Sequence, residues 1–148
     1  ARGRGDVYKR QTQQGFLDPA ASVQFGLRTD NQDTLGFNIL DGPWIQRHGT
    51  DAAIEQIRKI VGDNKTYLTF DIDCLDPAYA PGTGTPVCGG LTTSQAREIV
   101  KGLAGINIVG ADLVEVAPPY DHAEITALAG ATLALDFLCL FAKAPWRQ

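Results

Sequence analysis

The chain has few cysteines and histidines, and it has none of the spacings in which these residues bind zinc. Its 148 residues include three cysteines, at positions 74, 88 and 139, with no CxxC pair. An odd and scattered set of cysteines is typical of a reduced compartment and excludes a zinc ribbon. The two histidines, His48 and His122, stand alone, and each is interpreted as a surface or capping residue at the start of a helix.

Serine is equally scarce, and several catalytic and ligand-binding motifs are absent. Ser22 and Ser94 are the only serines and neither lies in GxSxG, which excludes a serine nucleophile elbow. The stretch GTGTP at residues 82–86 lacks both GxxxxGK[ST] and GxGxxG, so we do not predict a phosphate loop there. An EF-hand is excluded because Leu75, Asp76 and Gly82 occupy the fifth, sixth and twelfth positions counted from Asp71.

The chain also lacks an excess of basic residues outside its first ten, and it lacks a long apolar run. Outside the first ten residues, the remaining 138 carry nine basic and sixteen acidic side chains, a net charge of −7. This charge argues against nonspecific nucleic-acid binding and is compatible with a cationic small-molecule substrate. The longest apolar run, Ile125–Leu135, is 11 residues long, which is short of the about 20 residues that a membrane span needs. With no signal peptide at the start, the sequence predicts a cytoplasmic protein with no nucleic-acid or membrane partner.

Strand and helix patterns alternate along the chain. Strands are predicted at residues 22–28, 36–40, 66–73 and 106–116. Helices are predicted at 51–61 after a Thr50 cap, behind a Thr92–Gln95 capping box, and from about 121 to 143. The last helix is apolar nearly all round, so we expect it to be buried. This order predicts an α/β fold with a parallel sheet and helical crossovers.

The first 14 residues differ from the rest of the chain. They show no hydrophobic period, and the first ten are rich in arginine and lysine. We interpret residues 1–14 as a disordered or foreign tail and residues 15–148 as the folded part.

Two acids follow each other closely at the end of the third predicted strand. Because strand side chains alternate, Asp71 and Asp73 are expected on one face, about 7 Å apart. Two such carboxylates would repel each other unless a cation compensates them, and a divalent Mg or Mn ion suits oxygen ligands. The alternative is a strand end that runs into a solvated turn. Asp76, which precedes Pro77, is interpreted as a turn residue.

A third acid, Glu115, ends the fourth predicted strand just before Pro118 and Pro119. Ligands bind at the carboxyl ends of the strands of an open parallel sheet, so Glu115 is expected to face the same crevice as Asp71. A carboxylate there can bind a guanidinium group through two hydrogen bonds. The alternative is that Glu115 is a surface side chain solvated by water. Asp112, deeper in this strand, is interpreted as a hydrogen-bonded core acid.

Two long segments together resemble the ureohydrolase family. They are FDIDCLDPAYAPGTGTPVCGGLT at residues 70–92 and GADLVEVAPPYDHAEITALAGATLA at residues 110–134, within a similarity that covers roughly residues 15–143. The resemblance implies an α/β/α three-layer arginase-like fold, here truncated. It also implies two Mn²⁺ ions per complete active site, which activate water for attack on a guanidinium carbon.

The resemblance also implies roles for individual residues. Asp71 would bridge the two metal ions and Asp73 would chelate one of them, so both are predicted as metal ligands and catalytic residues. Glu115 would hold the substrate guanidinium, and Thr83 and Thr85 would border the substrate pocket. The favoured substrate is agmatine, hydrolysed to urea and putrescine in polyamine biosynthesis, with another guanidino acid such as guanidinobutyrate as an alternative. The complete parent is expected to be a homo-oligomer.

The chain departs from the family pattern in its first part. The family has a histidine on an earlier loop, a DxHxD-type run and a His-Gly-Thr loop, and no DxHxD run occurs here. The sequence His48-Gly49-Thr50 is interpreted as a coincidence because it opens a helix. The chain thus carries two of the six metal ligands that the resemblance implies. We therefore expect it to be the C-terminal half of a longer domain and to be inactive in isolation.

Two other functions are compatible with these residues. A non-catalytic relative, either an interaction subunit or a pseudoenzyme, would explain the missing ligands. A phosphotransferase with an aspartyl nucleophile would explain the strand-end Asp71 and Asp73. Its pattern, however, has threonine or valine where Leu75 stands.

Overall fold

Four helices and four strands form along residues 4–29 and 33–145, the part of the chain that the computed structural model describes. The helices are α1 (Arg4–Gln13), α2 (Gly42–Val61), α3 (Thr93–Gly102) and α4 (Ile125–Ala142). The strands are β1 (Val23–Phe25), β2 (Asn38–Leu40), β3 (Thr66–Asp71) and β4 (Ile108–Val114). Single turns of 3-10 helix occur at Pro19–Ala21, Ile72–Cys74 and Pro118–Tyr120.

The strands pair in parallel, which confirms the predicted α/β class. Among the described residues they form two pairs, β1 with β2 and β3 with β4. Helix α3 packs between α2 and α4, while α2 also contacts β1 and β2 and α4 contacts β4. One continuous core joins these elements, and its largest fully buried apolar side chains are Phe70, Ile45, Ile72, Leu75, Leu91, Ile99, Ile108, Leu133 and Val100.

Helix α2 begins earlier than the sequence predicted. Asp41 caps it by accepting the N–H of Trp44 at 2.6 Å, and the helix continues across a kink at Gly49, where φ is 85°. The predicted cap, Thr50, instead donates its hydroxyl proton to Glu98 of α3 at 2.6 Å. The part of α2 after Gly49 matches the helix predicted at 51–61, and the prediction missed the turns before Gly49, because glycine normally marks a helix end.

Helix α1 lies where a disordered or foreign tail was expected. It ends at a left-handed glycine, Gly15, with φ of 73°, and the N–H of Phe16 donates to the carbonyl of Gln11 at 2.9 Å. Arginine, lysine and glutamine are good helix formers, so a helix forms here without an apolar period. Residues 1–3 of the predicted tail lie outside the described residues, and the limits of the folded part remain a prediction.

Helix α4 buries one face rather than its whole circumference. Leu133, Phe137 and Leu140 lie in the core, whereas Leu128, Leu135 and Leu138 are exposed. The expectation of a fully buried helix was therefore wrong, because the described elements cover only one side of it. By length and composition α4 could cross a membrane, a test that core helices of soluble proteins also pass, and 39% of it is buried here.

A buried acid joins α3 to α4. Asp136 is 6% exposed and accepts two hydrogen bonds from Arg97, at 2.7 Å from Nε and 3.2 Å from Nη2. Lys101 lies farther away, with Nζ 4.0 Å from the Asp136 carboxylate. At the start of α3, Thr92 and Gln95 form the predicted capping box. The hydrogen bonds between Arg97 and Asp136 fix α3 against α4, the helix that begins beside the candidate site.

Candidate active site

The acids predicted from the sequence lie at the ends of two neighbouring strands. Asp71 is the last residue of β3 and lies opposite Val114, the last residue of β4. Glu115 follows Val114 directly, so Asp71 and Glu115 stand at the same edge of the β3–β4 pair. This placement is the one expected from the carboxyl ends of parallel strands.

Asp73 does not lie on the strand. Strand β3 ends at Asp71, and Asp73 belongs to the 3-10 turn Ile72–Cys74. The Asp71 carboxylate accepts the N–H of Asp73 at 3.1 Å and so caps this turn. Strand alternation therefore does not determine where the Asp73 side chain points, because the chain leaves the strand at Asp71, whose side chain bonds the backbone two residues on.

Two side chains from other segments hold the Asp73 carboxylate. Thr85 donates its hydroxyl proton to Oδ2 at 3.0 Å, and Nη2 of Arg28 lies 3.4 Å from Oδ1. The Arg28 side chain is 8% exposed, and its buried Nε has no hydrogen-bond partner among the described residues. A cation thus compensates Asp73, as the sequence required, but that cation is an arginine which sequence analysis did not single out.

Cys74 follows Asp73 in the same 3-10 turn and is buried. Burial raises the pKa of the Cys74 thiol to about 12, against the smaller opposing effect of the Arg28 charge. The thiol is therefore neutral at physiological pH and acts as a small apolar side chain in the core.

The Gly82–Thr85 loop connects the two acidic positions. Thr85 contacts Asp73 at one end of the loop, as described above. At the preceding residue, a Cβ atom added to Gly84 would lie 3.8 Å from Oε2 of Glu115. Thr83, one residue earlier, is 4% exposed, and its hydroxyl is buried without a hydrogen-bond partner among the described residues. The loop therefore brings Thr83 and Thr85 into the same region as Asp73 and Glu115.

The backbone of Glu115 adopts an unusual conformation. Its φ of 68° lies in the left-handed region, which residues other than glycine seldom enter. The chain then passes through Ala117 into the 3-10 turn Pro118–Tyr120. Strained residues of this kind concentrate at ligand-binding positions.

Asp121 organises the chain between this turn and α4. Its carboxylate accepts the N–H groups of His122, Thr126 and Ala127 at 2.9–3.0 Å. Burial raises the pKa of Asp121, but these hydrogen bonds together outweigh burial and hold the pKa below its usual value. Thr126, which sequence analysis missed, is fully buried and accepts the N–H of Gly82 at 2.8 Å.

The other polar residues considered from the sequence lie outside this arrangement. Asp76 accepts the N–H groups of Ala78 and Gly89, which lower its pKa, so it is a turn residue as predicted. Asp112 accepts the hydroxyl proton of Tyr67 at 3.1 Å. The ring of His48 stacks on Trp44 with centroids 4.3 Å apart.

The donor set at the strand ends fits part of a metal site. Carboxylate oxygens such as those of Asp71 and Asp73 suit Mg²⁺ and Mn²⁺. Within residues 4–29 and 33–145, however, no group of three or more His, Cys, Asp or Glu side chains could hold a metal ion. The described residues therefore provide ligands of the right chemistry but not a complete set.

Sequence comparison connects this arrangement to known proteins. A model of the arginase family matches residues 2–140. The agmatinase of Chromobacterium violaceum is 55% identical over 136 residues, which are 92% of this chain and 42% of the relative. The agmatinase of Proteus mirabilis is 54% identical over 136 residues, 92% of this chain and 44% of that protein.

Comparison of structures gives the same result. A hypothetical agmatinase from Burkholderia thailandensis has a TM-score of 0.89 at 58% identity, covering 90% of this chain and 42% of that one. Proclavaminate amidino hydrolase from Streptomyces clavuligerus has a TM-score of 0.88 at 32% identity, covering 92% and 48%. The chain thus spans less than half the length of these relatives.

Proposed function

Because the chain belongs to the arginase family, we propose that it forms part of an enzyme that hydrolyses a guanidino compound, with agmatine as substrate and urea and putrescine as products. The observation that carries the proposal is the shared edge of β3 and β4, where Asp71 lies opposite Val114 and Glu115 follows. The relatives named agmatinase support the choice of substrate. The rest of the active site would come from the other part of a longer chain.

Glu115 is the group that binds the substrate cation in this proposal. A carboxylate accepts two parallel N–H groups from a planar guanidinium, which distinguishes it from an ammonium ion. The left-handed backbone at Glu115 and the loop beside it fix where this carboxylate points. The buried Thr83 hydroxyl lies in the same loop and gives a further hydrogen-bonding group for the guanidinium.

Asp71 and Asp73 are proposed to hold Mn²⁺ together with ligands outside this chain. When bound, the ions lower the pKa of a water molecule and so supply a nucleophile at neutral pH. Asp71 is fixed by its bond to the N–H of Asp73, and Asp73 by Thr85 and Arg28. These contacts orient both carboxylates before a metal arrives.

Urea release by the complete parent chain tests the proposal. We expect urea from agmatine in the presence of Mn²⁺, and loss of activity in Glu115→Gln and Asp71→Asn. Asp71→Asn should also lower the manganese content of the purified protein, whereas Glu115→Gln should not. Asp63→Asn, at an exposed acid in the turn after α2, is the matched control. A manganese-loaded parent that releases no urea from agmatine, guanidinobutyrate or arginine would contradict the proposal and favour a non-catalytic role.

A further inference from the structure

Thr126 is a fully buried polar residue to which the proposed function gives no role. It lies in the first turn of α4, and its hydroxyl oxygen accepts the N–H of Gly82 at 2.8 Å. This is a buried hydrogen bond between a side chain and the backbone of a loop 44 residues earlier. The loop is the one that carries Thr83 and Thr85.

Asp121 holds the segment that carries the Thr126 hydroxyl. The Asp121 carboxylate accepts the backbone N–H groups of Thr126 at 3.0 Å and of Ala127 at 2.9 Å. These bonds fix the first turn of α4, from which the Thr126 hydroxyl oxygen accepts the N–H of Gly82. Asp121 also touches the loop, since a Cβ atom added to Gly82 would lie 2.6 Å from the Cβ of Asp121.

The loop has a second attachment on the Glu115 side. The carbonyl of Gly82 accepts the N–H of Ala117, two residues after Glu115, at 2.8 Å. Gly82 is thus held at its N–H by α4 and at its carbonyl by the segment that follows Glu115. The distance between the loop and the Glu115 carboxylate depends on both bonds.

We propose that Thr126 is a positioning residue that holds the Gly82–Thr85 loop against Glu115 and thereby sets the width of the guanidinium site. This inference rests on the proposed function, because it concerns the same substrate site. Thr126 itself does not touch the substrate. It acts through Gly82, and Asp121 fixes the backbone of Thr126 by accepting its N–H.

A general role of Thr126 in folding would affect activity only through the amount of folded protein. A positioning role predicts instead a selective effect on substrate affinity. Displacement of binding groups by about 1 Å can reduce turnover efficiency by up to about 100-fold. Since the loop binds the guanidinium before and during the reaction, we expect the loss mainly in KM.

The test compares three substitutions on α4 in the complete, manganese-loaded parent chain. Thr126→Val removes the hydroxyl and keeps the shape, and it should raise the KM for agmatine by about tenfold with an almost unchanged kcat. Thr126→Ser keeps the hydroxyl and should restore KM to near the wild-type value. Thr132→Val is the matched control, because that hydroxyl donates to the carbonyl of Leu128 in its own helix.

Hydrogen exchange gives a readout independent of activity. In Thr126→Val the amide of Gly82 loses its acceptor and should exchange faster, whereas in Thr126→Ser and Thr132→Val it should remain protected. Manganese content should be equal in all variants. If Thr126→Val does not fold, Gly82→Ala displaces the same loop, since its Cβ would overlap Asp121, and should raise KM in the same way.

The outcomes separate the two proposals. A wild-type parent without ureohydrolase activity contradicts the proposed function. An active parent in which Thr126→Val and Gly82→Ala leave KM unchanged overturns the positioning role of Thr126. Equal losses in Thr126→Val and Thr126→Ser would also overturn it, because the hydroxyl would then be irrelevant.

Discussion

The guanidinium of Arg28 lies 3.4 Å from the carboxylate of Asp73, with only 8% and 21% of the two side chains exposed. The chain thus carries its own guanidinium group next to an acid that we propose as a metal ligand. Arg28 lies three residues beyond the end of β1, while Asp73 lies two beyond the end of β3. The pair therefore joins the two strand pairs through one charged contact.

Replacement of Arg28 by methionine tests the energetic role of this contact. The change leaves Asp73 partly buried without its cation, and we expect the free energy of unfolding to fall by about 2–3 kcal/mol, somewhat below the cost of breaking a fully buried pair. Urea denaturation followed by circular dichroism measures it. The double variant Arg28→Met/Asp73→Asn should recover part of the loss, and strictly additive effects would show that the two side chains do not interact.

The buried Asp136 between α3 and α4 gives a second stability prediction. Asp136→Ala removes the acceptor of both Arg97 hydrogen bonds, and it should lower the free energy of unfolding by more than Lys101→Ala does, although water can solvate the Arg97 side chain, which is 38% exposed. Lys101→Ala is the control, because Lys101 is 57% exposed and 4.0 Å away, and it should cost less than about 0.5 kcal/mol. Equal effects of the two changes in urea denaturation would contradict this account.

Acid should destabilise the chain partly through Asp121. The pKa of Asp121 is lower in the folded protein than its usual value because of three backbone N–H donors and Thr126, which together outweigh burial. The stabilisation is therefore present above the unfolded pKa of about 4 and is lost as the pH falls through the lower folded pKa. Asp76, whose pKa is also lowered by backbone N–H groups, contributes in the same direction.

The measurement is the midpoint of urea unfolding between pH 5 and pH 2.5. We expect the wild-type midpoint to fall with pH, and to fall less steeply in Asp121→Asn and in Asp76→Asn. Asp63→Asn should follow the wild-type curve. A slope unchanged by both Asp121→Asn and Asp76→Asn would show that neither carboxylate stabilises the fold through its ionised form.

The three cysteines should differ sharply in reactivity. Cys74 is buried and its thiol has a pKa of about 12, whereas Cys88 and Cys139 are exposed. Because the thiolate is the reactive form, iodoacetamide at pH 8 should label Cys88 and Cys139 and leave Cys74 unmodified until the chain is unfolded. Peptide mass spectrometry identifies the labelled sites, and labelling of Cys74 in the folded protein would contradict its placement.

Much of the fold follows from local sequence signals. The alternation of apolar patterns predicted the four strands, and the Thr92–Gln95 capping box marked the start of α3 correctly. The start of α2 was missed because a glycine in the middle of a helix resembles a helix end. Helix α4 was expected to be buried on all sides, since an apolar sequence does not reveal which faces the neighbouring elements reach.

The candidate site was only partly predictable for a different reason. Asp71, Asp73 and Glu115 come at strand ends, which sequence patterns locate. Arg28 and Thr126 reach the site through contacts between distant segments, and a single arginine or threonine carries no local mark of such a contact. The turn at Asp73 was missed because the Asp71 side chain, rather than a neighbouring strand, binds its backbone.

At position 115 the backbone conformation favours glycine, whereas the proposed binding of a cation requires a carboxylate. Glycine would adopt φ of 68° without the penalty of about 1–2 kcal/mol that a Cβ atom brings. Glycine, however, has no carboxylate to offer a cation. A Glu115→Gly chain would thus be relieved of strain and would lose, in the same step, the carboxylate that we propose binds the guanidinium. At this position a search for greater thermal stability would select against the proposed function.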